Sequence, residues 1–470
     1  MSDSDDIYEK EEFRDHLSTV DEDGNRVWIH PKKPKGRYYN KRKIVSYVLL
    51  LLLFAAPLVK INGHQALLFN VIERKFVIFG KVFWPQDLYL FAITIIVLVV
   101  FIIFFTIIFG RLFCGWICPQ TIFMEMVFRR IEYWIEGDWT KQKKLKQQPW
   151  TKEKIFKKTA KHLIFWVISF IIANTFLAYI ISTDELWKIQ TEPLSQHLGG
   201  FISILIFTTV FYLVFSKLRE QVCTTICPYG RLQGVLLDQN SMVVGYDYGR
   251  GESRGKFRKN ENRAEANKGD CIDCHHCVHV CPTGIDIRNG TQLECVNCTA
   301  CIDACDDIMD TVGLERGLIR FVSENNIKEK KNFQWTPRIK AYTALLIALI
   351  GVLVVLLMTR KDFETEIFKE RGSTFLTTED NLIQNTYELK LTNKTRTDYR
   401  IKLEIIGAKG EIRTIKDEII LKGEKEIKER FLILVPYEEF EQGKKVVTLR
   451  ILGNGEEISR EKVKLIGPFI

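Results

Sequence analysis

Residues Leu88–Phe109 form 22 consecutive positions without a charged side chain. At about 1.5 Å per helical residue such a run reaches about 33 Å, enough for a bilayer core of about 30 Å. It restricts the chain more than any other feature, because only a membrane or a large apolar core accommodates it. Four further runs, Ile44–Ile61, Leu163–Ser182, Leu198–Phe215 and Ala341–Met358, read the same way, the first only if Lys60 snorkels at its end. The expectation is a multi-pass α-helical membrane protein with five transmembrane helices. Residues 1–43 contain no apolar core, so no signal-peptide pattern precedes the first run.

Orientation follows from the Lys/Arg bias near the span ends. Lys32–Lys43 holds seven basic and no acidic residues, and Arg111–Lys161 twelve against five, so both are expected on the cytoplasmic side. Asp184, Glu185 and Glu192, against Lys188, mark an outer loop. Alternation then puts residues 217–340 inside and the tail beyond Met358 outside. Residues 65–84 fit less well: Leu67–Phe69 and Val77–Phe79 are apolar, but Glu73, Arg74 and Lys75 interrupt them. They are expected as an interfacial or re-entrant segment on the outer side, with a sixth span as the alternative. The net charge of +9 is explained by this bias, and no motif supports a nucleic-acid role. The expected organisation is a cytoplasmic tail (1–43), a membrane core (44–222), a cytoplasmic region (223–340), a fifth span (341–358) and an outer domain (363–470).

All 12 cysteines lie between Cys114 and Cys305, at spacings of three or four within each group. That pattern argues against a disulfide framework and for metal or cluster ligation in a reducing compartment. The strongest signal is Cys271-x2-Cys274-x2-Cys277-x3-Cys281-Pro282, followed by Cys295-x2-Cys298-x2-Cys301-x3-Cys305. In bacterial-type ferredoxins this double run holds two cubanes, the fourth cysteine of each run reaching the other cluster. Cys271, Cys274, Cys277 and Cys305 are therefore expected to hold one 4Fe-4S cluster, and Cys295, Cys298, Cys301 and Cys281 the second, within a ferredoxin-like insert at 268–312. Paired structural zinc sites are the alternative, although zinc has no reason to prefer the tandem pattern. His275, His276 and His279 among these ligands read as exposed loop residues, or else as tuners of potential.

The other four cysteines form a repeat. Two two-span hairpins end in Cys114-x3-Cys118-Pro119 and Cys223-x3-Cys227-Pro228, with Arg111 and Arg219 just upstream. The i,i+4 spacing puts both thiols of a pair on one helix face, and the prolines favour a local break. Soft thiolates so placed suit Cu(I) or reversible dithiol chemistry, and buried free cysteine is the plainer alternative. Met124 and Met126 could add thioethers but fit simple packing better. Cys114, Cys118, Cys223 and Cys227 are thus the candidate catalytic thiols and candidate copper ligands.

Beyond Met358, period-two runs such as Tyr399-x-Ile401-x-Leu403-x-Ile405 and Val447-x-Leu449-x-Ile451 alternate with glycine turns, including Gly453-Asn454-Gly455. This pattern predicts an immunoglobulin-like β-sandwich over 363–470, free of Cys and His and suited to interaction or spacing.

With these residues in place, the chain resembles the cytochrome c oxidase accessory protein family of the CcoG/FixG/RdxA type, a group of membrane-bound polyferredoxins. The resemblance rests on Gly110-Arg111-Leu112-Phe113-Cys114-Gly115-Trp116-Ile117-Cys118-Pro119-Gln120-Thr121, on Arg129-Arg130-Ile131-Glu132 with Glu136-Gly137-Asp138, on Cys227-Pro228-Tyr229-Gly230-Arg231, and on Cys281-Pro282-Thr283-Gly284-Ile285-Asp286-Ile287-Arg288-Asn289-Gly290. It covers roughly residues 30–470, and His275-His276 depart from the small or apolar residues expected there. It implies a bacterial inner-membrane oxidoreductase that reduces Cu(II) to Cu(I) for assembly of a cbb-type oxidase, with copper transport or oxidase assembly proteins as partners. No Rossmann or flavin fingerprint occurs, so a separate cytoplasmic electron donor is expected. The alternatives are a quinol dehydrogenase-type subunit feeding a periplasmic reductase, and a non-catalytic assembly scaffold.

Overall fold

The computed structural model describes residues 19–468 apart from 21–22, 24, 62, 72–74, 194, 260, 262, 264, 331–333, 371–373, 379–380 and 417. The acidic start of the tail (1–18), and Glu73 and Arg74, lie outside the described residues. The chain divides into two compact units, Met1–Glu73 with Phe91–Gly351 and Arg74–Leu90 with Val352–Ile470.

Among the described residues, four helices are long and apolar enough to cross a membrane: Leu88–Phe109, Lys152–Ile181, Leu198–Leu218 and Pro337–Met358. Each contains one of the expected runs or nearly all of it. Thr151 starts the second by accepting the Lys154 amide at 3.3 Å, and Ser182, at φ 78°, ends it. The Ser182 hydroxyl then caps the next helix, Thr183–Thr191, at the Glu185 amide.

The expected count of five is approximate, because the first run is not among these four. Its helix is Arg37–Ala55, displaced toward the N-terminus, so it takes in Arg37, Lys41, Arg42 and Lys43. Only the twelve residues from Ile44 to Ala55 are uncharged, about 18 Å of helix, short of a bilayer core. Pro57 follows closely and cannot donate to a continuing helix. Lys60, expected to snorkel, lies instead in a short strand, Lys60–Ile61, and pairs with Asp184 at 2.8 Å.

The described part of residues 65–84 forms strands, not a helix, so the alternative of a sixth helical span is not met there. Leu67–Asn70 lies against the helix Lys152–Ile181. Lys75–Ile78 and Lys81–Phe83 make an antiparallel hairpin. This hairpin belongs to the unit of the C-terminal domain: Arg360 donates to the Val82 carbonyl at 2.6 Å and Arg396 to that of Gly80. Asp87, almost fully buried, pairs with Arg360 and Lys394, each at 2.7 Å.

In the first unit the helices meet in an aromatic cluster, where Phe128 stacks on Phe215 at 4.6 Å and meets Phe165 edge-on at 4.8 Å. Met124 packs into this cluster. Three π-helical turns, Phe123–Phe128, Val214–Leu218 and Val222–Ile226, all fall next to a Cys-x3-Cys-Pro pair. Such widened turns recur where a helix is distorted for function.

The ferredoxin-like part folds over a two-stranded sheet, Val243–Tyr246 against Ile319–Val322, and a helix, Ala300–Val312. Val244, Ile285, Ile302, Met309 and Leu318 fill the space between. Asp303 on this helix accepts the Tyr38 and Tyr39 amides at 2.9 and 2.7 Å, and so caps the first turn of Arg37–Ala55.

The C-terminal unit is a sandwich of two antiparallel sheets. One orders Glu411–Thr414, Glu426–Pro436, Leu382–Asn393 and Phe363–Lys369, with Leu376–Thr377 beside the third; the other orders Ile419–Leu421, Tyr399–Ile406, Lys444–Gly453 and Glu456–Ile466. Ile383, Leu389, Leu391 and Phe431 pack in one core with Leu421, Leu449, Ile451 and Leu465. The last hairpin turns through Asn454 and Gly455, both at positive φ, as a tight two-residue connection requires.

Candidate electron-transfer site

The two cysteine runs share a backbone pattern. Asp273 and His275 adopt positive φ (55° each) between Cys271, Cys274 and Cys277; Asn297 (52°) and Thr299 (66°) do the same between Cys295, Cys298 and Cys301. Alternating left- and right-handed residues turn successive N–H groups toward one concavity, a nest that favours anionic groups such as iron–sulfur clusters. Two cavities result. One is lined by Cys271, Cys274, Cys277 and Cys305 together with apolar Ile319, Leu318 and Met309. The other is lined by Cys281, Cys295, Cys298 and Cys301, with Cys277 at the shared wall.

Burial pushes the Cys277 and Cys295 thiols up to about 12 and Cys298 to about 11, because a lone thiolate is poorly solvated there. A cationic iron core would supply what solvent does not, and the donor sets suit it in residue type, number and enclosure. Arg288 braces the first nest, reaching Asp273 and Asp286 at 2.6 Å each and the His275 ring at 2.9 Å. His279 stacks on Trp139 at 4.8 Å. All twelve cysteines are unbridged.

Each membrane-edge pair is broken as its proline requires. Cys118 (ψ 124°) and Cys227 (ψ 112°) leave helical geometry, and Pro119 and Pro228 start the following helices. The repeats engage reciprocally. Cys114 of the first donates to Gln233 Oε1 at 3.0 Å, on the helix after Pro228, and Cys223 of the second lies 4.0 Å from Thr121 Oγ1, just after Pro119. Burial raises both leading thiols, Cys114 to about 11 and Cys223 to about 12.

This thiol region abuts the second cavity. Cys114 packs with Val296, Cys298 and Ala300. Gly115 has no room for a side chain, since a Cβ there would collide with the Val296 carbonyl and lie 2.9 Å from the Asn297 oxygen. Arg111 joins the same parts, donating from Nε to Gln233 at 3.2 Å and from its guanidinium to the Leu293 carbonyl.

Comparison with known proteins gives three matches to family models: "4Fe-4S binding domain" at residues 91–143, "4Fe-4S dicluster domain" at 218–324, and "IG-like fold at C-terminal of FixG" at 353–468. Protein RdxA of Cereibacter sphaeroides is 36% identical over 399 residues, covering 82% of this chain and 83% of RdxA. The nitrogen fixation protein FixG of Rhizobium meliloti is 32% identical over 417 residues, covering 81% and 79%. The chain belongs to the FixG/RdxA family. Protein RdxB of Cereibacter sphaeroides is similar too, 32% identical over 391 residues, or 80% and 81% of the two chains. This FixG/RdxA-type chain is a membrane iron–sulfur electron-transfer protein with an immunoglobulin-like C-terminal domain.

The remaining motif residues of the FixG/RdxA resemblance build a buried ion network beside the thiols. Arg219 holds Glu132 with two bonds of 3.0 and 2.9 Å. Glu136 pairs with Lys158 at 2.8 Å and Lys161 at 3.0 Å, and Arg26 reaches Glu220 at 2.8 Å. Burial alone would raise Glu132; Arg219, Lys161 and Arg129 outweigh it and hold the carboxyl below its ordinary value. Arg111 and Arg219, alike in the repeat, thus act differently: one ties the thiols to the ferredoxin-like part, the other anchors the helix that follows Pro119. Gln233 has no sequence signal of its own. Its role could have been suspected only from its place one turn beyond Tyr229-Gly230 on the helix begun by Pro228.

Proposed function

We propose that this protein is a cupric reductase of the bacterial inner membrane. Cys271, Cys274, Cys277 and Cys305 hold one 4Fe-4S cluster, and Cys281, Cys295, Cys298 and Cys301 the other. When bound, these groups accept and give up single electrons at potentials set by their surroundings. A one-electron carrier protein on the cytoplasmic side supplies the electrons, which leave through Cys114, Cys118, Cys223 and Cys227. Each Cu(II) takes one electron and becomes Cu(I), with no proton or bond to hydrogen involved. The Cu(I) serves copper-delivery and assembly proteins of a cbb-type cytochrome c oxidase. The N-terminus is cytoplasmic and the β-domain periplasmic, in line with the Lys/Arg bias of Lys32–Lys43 and Arg111–Lys161.

The observation that carries this reading is the packing of Gly115 on Val296–Asn297, which goes with Cys114 packing on Val296 and Cys298 of the wall of a cysteine-lined cavity. Copper is the substrate in this reading, not a resident cofactor. The test is an anaerobic assay of the reduced full-length protein with Cu(II) and a Cu(I) chelator. Stoichiometric Cu(I), lost in Cys114→Ser and in Cys271→Ser, supports the reading. Reduction of the clusters by quinol with no Cu(I) formed points to a quinol dehydrogenase, and clusters inert to dithionite point to a scaffold; either result overturns it.

A further inference from the structure

The two cysteine-lined cavities sit in different electrostatic surroundings. Beside the cavity of Cys281, Cys295, Cys298 and Cys301 stand the guanidinium groups of Arg42 and Arg111, side chains only 2% and 3% exposed. Arg42 donates from Nε to the Gly115 carbonyl at 2.7 Å, and Gly115 rests on Val296 and Asn297, which link Cys295 to Cys298. Arg111 donates to the Leu293 carbonyl, just before Cys295, and to Gln233 Oε1. These acceptors are neutral amide oxygens. Arg42 Nη2 is buried with no hydrogen-bond partner among the described residues.

Membrane topology gives no reason to bury Arg42. It asks only for basic residues on one side of the bilayer, and the neighbouring Lys41 is exposed. A buried cation whose partners are all neutral is costly unless an anion stands nearby. Four thiolates with their iron–sulfur core are such an anion, and the core gains a further negative charge on reduction. Burial disfavours the thiolates of Cys298 and Cys295; the Arg42 charge favours the first against it, and the Arg111 charge the second. Glu125, which also reaches Cys298, is itself paired with Arg129 at 3.3 Å.

Around the cavity of Cys271, Cys274, Cys277 and Cys305 carboxylates prevail. Arg288 is held by two of them, Asp273 and Asp286, so its charge is more than cancelled. Asp286 reaches Cys277, and Asp306, which accepts the Gly317 amide at 3.0 Å, reaches Cys305. A negative surrounding resists an added electron and a positive one favours it. Cys274 is the exposed cysteine of the twelve, which makes this the side open to an external donor. Water at Cys274 also stabilises added charge, but it reaches one ligand, while Cys271, Cys277 and Cys305 are buried.

We propose that Arg42 and Arg111 set the direction of electron flow: their buried charges make the group held by Cys281, Cys295, Cys298 and Cys301 the easier of the two to reduce. An electron entering beside Cys274 then runs downhill toward Cys114, which packs on Val296 and Cys298. Each step moves one electron, the first group oxidised as the second is reduced, with no bond made or broken and no proton transferred. Arg42 acts through its field and not by ligation, so it is a positioning residue. The inference rests on the two-cluster reading and is independent of the final acceptor.

The test is an anaerobic redox titration of the full-length protein in detergent, followed by low-temperature EPR, with iron analysis of every sample. Wild type is expected to hold about eight irons and to reduce in two separate one-electron waves. Their separation is expected to be at least about tenfold in equilibrium constant, about 59 mV. Arg42→Gln is expected to lower the upper wave by about tenfold and leave the lower one in place, whereas Arg42→Lys keeps the charge and the wave. Asp306→Asn keeps an acceptor for the Gly317 amide and is expected to raise the lower wave alone. Should Arg42→Gln fail to fold, wild type and Asp306→Asn decide. A single wave in iron-replete wild type overturns the proposal. So does iron-replete Arg42→Gln with its upper wave unmoved, or Asp306→Asn with its lower wave unmoved. Far fewer than about eight irons in wild type removes the two-cluster reading itself. Two waves that respond as expected, with no Cu(II) reduction, leave this inference standing and remove the cupric reductase reading instead.

Discussion

The Gly115 backbone lies so close to the Val296 carbonyl that no β-carbon fits between them. Two segments nearly 200 residues apart in sequence, a membrane-edge thiol pair and a ferredoxin-like loop, are thereby in main-chain contact. Packing this tight admits no ordered water and no intervening side chain at that point.

Gly115→Ala is predicted to force these segments apart. Overpacking of this kind costs about 1–3 kcal/mol. The iron bound by the octet should remain unchanged, while transfer from the reduced clusters to the external acceptor slows by at least about tenfold, the equivalent of about 1.4 kcal/mol in the barrier. Parallel iron analysis and single-turnover oxidation of the clusters would check this. Unaltered transfer would show that the contact is not on the path.

The Glu132–Arg219 pair is buried and doubly bonded. Glu132→Gln leaves Arg219 without its compensating charge and is predicted to destabilise the first unit by about 3–5 kcal/mol. The sign of the pH dependence follows from the lowered carboxyl. Its stabilisation is complete above the ordinary value of 4.5 and disappears as pH falls through the lower folded value. Thermal unfolding in detergent should therefore show an acid-side loss in wild type that is smaller in Glu132→Gln.

Phe431 is almost fully buried in the C-terminal sandwich. Phe431→Ala is predicted to cost that domain about 3–5 kcal/mol through the cavity it leaves. The iron content should not change, since all twelve cysteines lie in the other unit. Calorimetry alongside iron analysis separates the two effects, and loss of iron would contradict this expectation.

Much of this architecture was legible in the sequence because its determinants are local. The charge-free run Leu88–Phe109 is a helix over the same residues, and the alternation around Val447, Leu449 and Ile451 gives the buried face of a strand. The crossed grouping of Cys281 and Cys305 is written in the x2-x2-x3 spacing. What escaped depends on partners distant in sequence. Lys41 and Arg42 enter the first helix because Asp303, over 260 residues away, caps it at Tyr38 and Tyr39, and Arg42 donates to the Gly115 carbonyl at 2.7 Å. Residues 75–83 resembled a broken membrane segment because Val77 and Phe83 are apolar. They instead form a hairpin held by Arg360 and Arg396 of the β-domain unit. The engagement of the repeats through Gln233 and Thr121 left no trace in the spacing either.

In the proposed function, electrons held by the octet of cysteines leave through the membrane-edge thiols to copper. The most direct measurement is stopped-flow mixing of dithionite-reduced, desalted protein with Cu(II), following cluster absorbance and Cu(I) together in wild type and in Cys114→Ser. Wild type is expected to form one Cu(I) per electron lost from the clusters, and Cys114→Ser to keep a dicluster that is still fully reducible but reoxidised by Cu(II) at least about a hundredfold more slowly, about 2.7 kcal/mol. Equal rates in the two proteins, or Cu(I) formation without cluster oxidation, would contradict it.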